Sequence, residues 1–382
     1  MKNTVTKLLT CILAVTLLLS CVIVPQSVAV AESVREDTLF SKALLSELGI
    51  APDELIFKKE YTVYEGGNTS ALEGWSGDTG ALSVSSVTPA GADTAVNGLQ
   101  FYSPGGNAFV NYQLPTDNFL LKLDMYTMGE NGGNWDVQIL NSDGDLAYSM
   151  TIPAYNRTYD DQASKNLFSV KNYIGENNTY PSATGYTLSV QHTNLAMELV
   201  CYNGYFYFVN MNGELICRMP SRTDVSKTYQ LQLRSWAAGA VITEMSLTGL
   251  TAAEDSFASS IGAKVDGTAF YADYRGYRTD DSGETTYKTD FSATSGTVQI
   301  SETTPYNKTS KVTGLNLSNS GGSAFAEIDF TAADYVAKVS YVHSYHNGGY
   351  SSVAIRDEAG VYNAQISLPF SNRNSDEWHS NL

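Results

Sequence analysis

Three tyrosines and one arginine that could contact a sugar recur on one side of a predicted strand meander. Side chains alternate between the two faces of a strand, so Tyr202, Tyr205, Tyr207 and Arg218 fall together, opposite an apolar face. Tyrosine combines a large apolar ring with a polar hydroxyl, which suits the C–H face and hydroxyl edge of a pyranose. These four residues are the first candidate ligand site. The alternative is that the tyrosines pack beneath a loop or a neighbouring domain.

Polar residues on two further predicted strands form a second candidate site. Lys122, Asp124 and Tyr126 alternate with apolar residues on one strand, and Asp136 and Gln138 do so on the next. If the strands are neighbours, the two aspartates flank a groove, and paired carboxylates are the catalytic groups of glycosidases. Both aspartates are replaced by serine 216 residues later. We therefore prefer a solvated polar face that contacts ligand without hydrolysing it.

Two short segments raise the question of a metal. Asp143-Gly144-Asp145 has the composition of a calcium loop, but Asp-Gly between predicted strands is first a hairpin turn. His343 and His346 have side chains that bind zinc, yet no further Cys or His cluster accompanies them. The sequence therefore predicts no cofactor, with calcium as the alternative.

The candidate sites lie in a stretch of short predicted strands from about residue 61 to 250. Runs of aromatic, β-branched and alternating residues are separated by Gly, Asn, Asp and Pro. Charged residues make up only 16% of the 382 residues, whereas 25 are tyrosine and 31 are glycine, which favours a β-rich domain. We therefore predict an all-β chain built from antiparallel β-sandwiches with a short N-terminal helix.

The strand meander also predicts the state of the cysteines. Asn203-Gly204 suits a two-residue type I′ turn, as does the Asn-Gly pair at 212–213. These turns place Cys201 and Cys217 on strands either side of a shared middle strand. Two strand spacings are about 9.5 Å, beyond the reach of a disulfide. We expect two buried free thiols.

An internal repeat appears at an offset of 216 residues. Gly98-Leu99 recurs as Gly314-Leu315, and similar glycine-rich matches continue without gaps over residues 77–155. The second copy reaches only as far as the equivalent of residue 166 in the first. We therefore expect one complete sandwich at 55–250 and a truncated second copy at 266–382.

The remaining segments have their own signatures. Lys2 and Lys7 precede an apolar run, and Ala29-Val30-Ala31 is a typical cleavage site, so residues 1–31 are predicted to be a signal peptide. An uncleaved anchor and a lipoprotein at Cys21 are the alternatives. Residues 32–54 are interpreted as a helical lead-in, with a helix from 37 to 48, and residues 251–265 as a linker. The protein is expected to be secreted and, as an alternative, anchored at the cell surface.

The charge of the chain limits its partners. The formal charge is −17, and loss of residues 1–31 removes two lysines and no acid, leaving −19. So acidic a protein is not expected to bind nucleic acid or anionic membranes, and membrane contact would come only through a lipid anchor. A neutral polysaccharide remains compatible with this charge.

The meander from Met197 to Ile216, the segment Tyr229–Trp236 and the closing strand to Leu250 carry a family resemblance. Together they resemble the late strands of the concanavalin A-like lectin and glucanase superfamily, with its laminin-G-like jelly rolls. The resemblance implies a jelly-roll fold that hosts lectins, glucanases, lyases and adhesion modules. The carboxylate motif of laminarinase-type members is broken, since Glu327-Ile328-Asp329 is followed by Ala332.

These observations lead to three functional hypotheses. The first is a non-catalytic carbohydrate-binding or adhesion protein with tandem modules, because repetition of weak sites increases avidity. The second is a glycan-active enzyme, and the third is a structural spacer without a ligand. No intact catalytic motif is found in the sequence.

Overall fold

The computed structural model describes most of the chain beyond residue 38. The described ranges are 39–64, 69–89, 93–101, 107–127, 134–153, 167–171, 186–187, 194–221, 229–236, 240–265, 267–276, 292–305, 308–318, 323–332, 334–342 and 349–370. The predicted signal peptide, residues 32–38 of the predicted lead-in and the histidines at 343 and 346 lie outside the described residues. Within the part described, no helix is both long and apolar enough to cross a membrane.

Strands dominate these ranges. The first part of the chain contains β1 (Ile50–Glu60), β2 (Trp75–Gly77), β3 (Leu82–Val87), β4 (Val96–Phe101), β5 (Asn107–Gln113), β6 (Phe119–Thr127), β7 (Asn134–Leu140), β8 (Leu146–Pro153), β9 (Leu167–Lys171), β10 (Tyr186–Thr187), β11 (Asn194–Tyr202), β12 (Tyr205–Asn210), β13 (Leu215–Pro220), β14 (Gln230–Trp236) and β15 (Ala240–Ala252). The later part contains β16 (Ser292–Ser295), β17 (Thr297–Thr303), β18 (Val312–Ser318), β19 (Phe325–Glu327), β20 (Gly349–Arg356) and β21 (Tyr362–Phe370). Two short helices are described, α1 (Lys42–Leu48) and α2 (Ser256–Ser260).

Fifteen strands build two antiparallel sheets. The first sheet has the order β13-β12-β11-β6-β15-β4-β3, and β1 also pairs with β15. The second has the order β10-β9-β8-β7-β14-β5-β2. We call them the eight-stranded and the seven-stranded sheet. The predicted all-β antiparallel sandwich is therefore confirmed.

The core lies between the inner faces of these sheets. Alternate residues of β6, such as Leu121 and Leu123, meet alternate residues of β14, such as Leu233, and all are about 1% exposed or less. Tyr148 of β8 stacks on Phe206 of β12 with ring centroids 4.7 Å apart. Because each strand buries every second residue, the intervening residues must face outward from the sandwich.

The meander β11–β12–β13 agrees with the predicted register. Cys201 lies opposite Phe206, and Phe208 lies opposite Cys217, as expected. Both cysteines are free and buried, which confirms that prediction. The second turn differs from the expected two-residue type, because Gly213 donates its N–H to the Asn210 carbonyl and a bulge in β13 restores the register.

The segments that flank the sandwich depart in detail from expectation. Helix α1 begins at Lys42 rather than 37 and ends at Leu48, and the Gly49 that follows has a φ of 67°, which suits a left-handed cap. Strand β1 begins at Ile50, inside the predicted lead-in, and pairs with β15. The predicted linker contains the end of β15 and helix α2, which Asp255 caps by accepting from two backbone N–H groups.

The later strands form three two-stranded sheets, β16–β19, β17–β18 and β20–β21. Their pairings match those of β2–β5, β3–β4 and β7–β8 at the 216-residue offset. Leu82 pairs with Phe101 and Val298 with Leu317, for example. In the described residues at 335–342, the positions equivalent to β6, no strand is present.

Candidate functional site

The predicted row of exposed tyrosines is buried. Tyr202, Tyr205 and Tyr207 are 4%, 7% and 0% exposed. They lie on the outer face of the eight-stranded sheet, but helix α1 and residues 268–276 cover that face. We call this surface the tyrosine face and residues 268–276 the covering segment. The expected exposure of the tyrosine face is wrong. The covering segment, which lies 64 or more residues away in sequence, packs on it.

Hydrogen bonds hold the covering segment to the tyrosine face. The Tyr207 hydroxyl lies 2.6 Å from the Tyr271 hydroxyl and donates to Asp273 Oδ2 at 3.1 Å. The Tyr202 hydroxyl lies 3.2 Å from Thr268 Oγ1. Burial, followed by the neighbouring hydroxyl and carboxylate, raises the pKa of Tyr207 far above its ordinary value. These tyrosines therefore serve as contacts within the chain.

Arg218, the fourth member of that candidate site, is part of an ion-pair network. It bonds to Asp273 at 3.1 Å and to Glu47 of α1 at 2.8 Å, and Arg275 pairs with both carboxylates. Burial alone would raise the pKa of Glu47 and of Asp273, but the two arginines outweigh it and lower both values. The network ties together helix α1, the meander and the covering segment.

The groove between Asp124 and Asp136, which requires their strands to be neighbours, does not form. Asp124 lies on β6 in the eight-stranded sheet, whereas Asp136 lies on β7 in the seven-stranded sheet. Both alternate with core residues, so they point to opposite outer surfaces of the sandwich. Strands β6 and β7 are consecutive in sequence but are not paired with each other. Instead, β15 pairs with β6 in one sheet and β14 pairs with β7 in the other. The two-aspartate groove is therefore wrong.

Lys122, Asp124 and Tyr126 remain together on the outer face of the eight-stranded sheet, where all three are half-buried. Lys122 Nζ lies 3.9 Å from Glu244 Oε1. Burial raises the pKa of Asp124, with Lys122 acting in the opposite direction. This cluster is separate from Asp136 and Gln138.

The outer face of the seven-stranded sheet is rich in polar side chains. Strand β14 reads Gln-Leu-Gln-Leu-Arg from residue 230, with its leucines in the core and the alternate residues half-buried. On strand β5, Phe109 and Asn111 are half-buried and Gln113 is exposed, and they alternate with the buried Val110. We call this surface the polar sheet face; its described members are Ser76, Phe109, Asn111, Gln113, Asp136, Gln138, Ser149, Gln230, Gln232 and Arg234.

One row of this face crosses five strands. Cα pairing runs from Ser76 to Asn111, then to Gln232, Gln138 and Ser149. Four strand spacings amount to about 19 Å. Gln232 Nε2 donates to Asn111 Oδ1 at 2.8 Å, and Gln138 Nε2 donates to Ser149 Oγ at 3.3 Å. Ser76 is exposed and Asn111 and Gln232 are half-buried, whereas Gln138 and Ser149 are buried, at 8% and 1% exposure. The accessible part of the row is therefore the line from Ser76 to Gln232.

A second row of the face contains its charges. Arg234 pairs in register with Phe109 on one side and Asp136 on the other. Its guanidinium lies 3.6 Å from the Asp136 carboxylate and 5.4 Å from the centroid of the Phe109 ring. The pair is formally neutral, so the face combines one ion pair, one aromatic ring and several amides.

Of the predicted site residues, only Asp136 and Gln138 lie on the polar sheet face. Sequence reasoning did not select Asn111, Gln232 or Arg234. Their signal was present, because Gln-Leu-Gln-Leu-Arg alternates strictly. What the sequence did not reveal is that β14 lies between β5 and β7 and so joins the polar residues of three strands.

The Asp143-Gly144-Asp145 segment is a hairpin turn between β7 and β8. The Asn141 side-chain oxygen accepts from the backbone N–H groups of Asp143 and Asp145, at 3.0 and 2.8 Å, and Gly144 has a φ of 82°. Among the residues that the structure describes, no group of three or more His, Cys, Asp and Glu side chains could hold a metal ion.

Comparisons with known proteins identify similar solved structures but no sequence family. No protein-family model matches this chain, and no curated protein matches it in sequence. A carbohydrate binding module, CBM66 from Bacillus subtilis, matches with 14% identity, a TM-score of 0.31 and coverage of 46% of this chain and 96% of the module. A protein of unknown function with a galectin-like fold, also from Bacillus subtilis, matches with 11% identity, a TM-score of 0.35 and coverage of 53% and 99%. Crh5 transglycosylase matches with 13% identity, a TM-score of 0.36 and coverage of 53% and 86%.

Proposed function

We propose that this chain is a secreted or cell-surface carbohydrate-binding protein that binds a glycan without cleaving it, and that the polar sheet face is its binding surface. The observation that carries the proposal is the line of Ser76, Asn111 and Gln232 across three adjacent strands, beside Phe109 and Arg234. The proposed address follows from the N-terminal segment, with its two lysines, apolar run and cleavage pattern.

The chemistry of this face suits sugar hydroxyl groups. A side-chain amide both donates and accepts hydrogen bonds, as a hydroxyl does, so neighbouring amides can engage neighbouring hydroxyls on a ring. The Phe109 ring, half-buried beside Arg234, adds an aromatic group of the kind that contacts apolar C–H surfaces. The accessible line from Ser76 to Gln232 covers two strand spacings, about 9.5 Å, which suits a short stretch of a glycan chain.

The charges of the face favour a neutral glycan. Arg234 is paired with Asp136, so the described side chains present no net positive charge to an anionic sugar. The formal charge of the chain, −17, would also repel an acidic polysaccharide at low ionic strength. A linear polymer of uncharged hexoses is therefore the proposed ligand class.

The same residues favour binding over hydrolysis. Glycosidases of the usual kind need two carboxyl groups on either side of the scissile bond. Among the described side chains on the strands of the polar sheet face, Asp136 is the single carboxylate, and it is paired with Arg234. Asp124 lies on the other sheet and cannot act as its partner.

The test is a titration of the full chain with a panel of neutral and acidic glycans. We expect Gln232→Ala and Asn111→Ala each to weaken binding about five-fold, since a lost hydrogen bond contributes about 1 kcal/mol. Gln100→Ala is the matched control, because it removes an amide bonded to Ser85 on the other sheet. Reducing-sugar release should stay at background. Binding that is unaffected by Gln232→Ala and Asn111→Ala but lost in the control would refute the assignment of the face.

A further inference from the structure

The second unit lacks a core of its own in the described residues. Among the described residues from 267 to 370, Ile300 is the single buried hydrophobic side chain, at 2% exposure. Several large apolar residues in the same part of the chain are exposed, among them Phe325, Val339 and Ile366. The strands form three separate two-stranded sheets, and an isolated hairpin is marginally stable in water.

Ile300 belongs to a cluster centred on the first sandwich. Ile300 of β17 shares this cluster with Tyr202, Tyr205 and Tyr207 of the tyrosine face. Leu315 of β18 packs against the same group, as do Tyr271 and Tyr274 of the covering segment. The β17–β18 hairpin is therefore buried through the first sandwich and not through its own unit.

Polar contacts position the covering segment on the first sandwich. Arg275 bonds to Asp273 at 2.8 and 2.9 Å and also pairs with Glu47 of α1. Asp273 is 5% exposed and accepts from Tyr207 and from Arg218. Such directional bonds fix one placement of the segment, which an apolar contact alone would not do.

We propose that the tyrosine face is an intramolecular docking surface that orders the β17–β18 hairpin, with the covering segment as the element that it recognises. The occupant is this chain's own sequence from residue 268 to 276, together with the apolar side of the hairpin. The first sandwich thus buries the apolar side of the hairpin at Ile300. This role is independent of the polar sheet face, which lies on the opposite side of the sandwich.

Hydrogen exchange of the full chain tests the proposal. We expect Tyr271→Ala and Arg275→Ala to speed exchange of the β17–β18 amides by at least about tenfold, which corresponds to about 1.4 kcal/mol. Amides of β6, β11 and β14 should keep their protection. Lys311→Ala is the matched control, because it breaks the Lys311–Glu302 ion pair on the hairpin itself without touching the first sandwich.

The milder change Tyr271→Phe guards against general unfolding. It removes the hydroxyl beside Tyr207 but keeps the ring in the cluster, so a smaller effect in the same amides is expected. Unchanged exchange of the hairpin in both Tyr271→Ala and Arg275→Ala would overturn the proposal. So would equal loss of protection in the hairpin and in the core strands, since the covering segment would then be part of the sandwich itself.

Discussion

Replacing Tyr207 separates a structural role of the tyrosine face from a ligand-binding role. The ring is 0% exposed, so Tyr207→Ala removes a buried aromatic and leaves a cavity, which typically costs about 3–5 kcal/mol. It also removes the Tyr207 partner of the Tyr271 hydroxyl, whereas Asp273 keeps its bonds to Arg218 and Arg275. For a domain of this size, we expect the melting temperature to fall by about 10 °C or more.

Tyr207→Phe isolates the hydroxyl from the ring. It keeps the volume of the side chain and removes the two bonds, one of them to a carboxylate, so about 1–3 kcal/mol should be lost. Thermal melting and glycan titration should be measured together on both variants. We expect Tyr207→Ala to lower the melting temperature more than Tyr207→Phe does. Neither variant should change the glycan affinity of the folded protein. If Tyr207→Ala melted like the wild type and abolished binding, the face would be a ligand site and our reasoning from burial would fail.

Two further predictions concern the core and acid pH. A Cβ at Gly98 would lie 2.2 Å from Val241 Cγ1, whereas a Cβ at Gly314 meets nothing within 4 Å. We therefore expect Gly98→Ala to lower the urea midpoint by an amount equivalent to several kcal/mol, and Gly314→Ala to change it little. The lowered pKa values of Glu47 and Asp273 mean that their ion pairs stabilise docking above the ordinary carboxyl range near pH 4 and lose that effect as the pH falls through the folded-state values. Exchange of the hairpin amides, corrected for intrinsic rates, should therefore rise below about pH 4; constant protection down to about pH 2 would contradict this.

The sequence predicted local relations well because turns and alternation determine them. The positive φ values at Asn203 and Gly204 fit the predicted turn, and the register of the meander follows from it. The separation of Cys201 from Cys217 needed no more than this register.

The predictions that were wrong depend on segments that are distant in sequence. Nothing near Tyr207 indicates that Tyr271 covers it, because alternation tells which residues share a face but not whether that face meets solvent. Asp124 and Asp136 are close in sequence, yet they lie in different sheets, where their strands pair with β15 and β14, which follow more than 90 residues later. The polar sheet face was missed for the same reason, since β14 unites it.

The position of β14 and β15 has a consequence for how the chain is made. These are the last strands of the first sandwich in sequence, yet β14 lies between β5 and β7, and β15 lies between β6 and β4. During synthesis, neither sheet can be completed until residues 230–252 emerge from the ribosome. Until then, the strands on either side of the β14 and β15 positions have unpaired edges. Such long-range pairing makes folding slow and keeps the chain open to other partners until its final central strands arrive. A chain cut short before Gln230 would therefore lose the middle of both sheets, and not merely an edge.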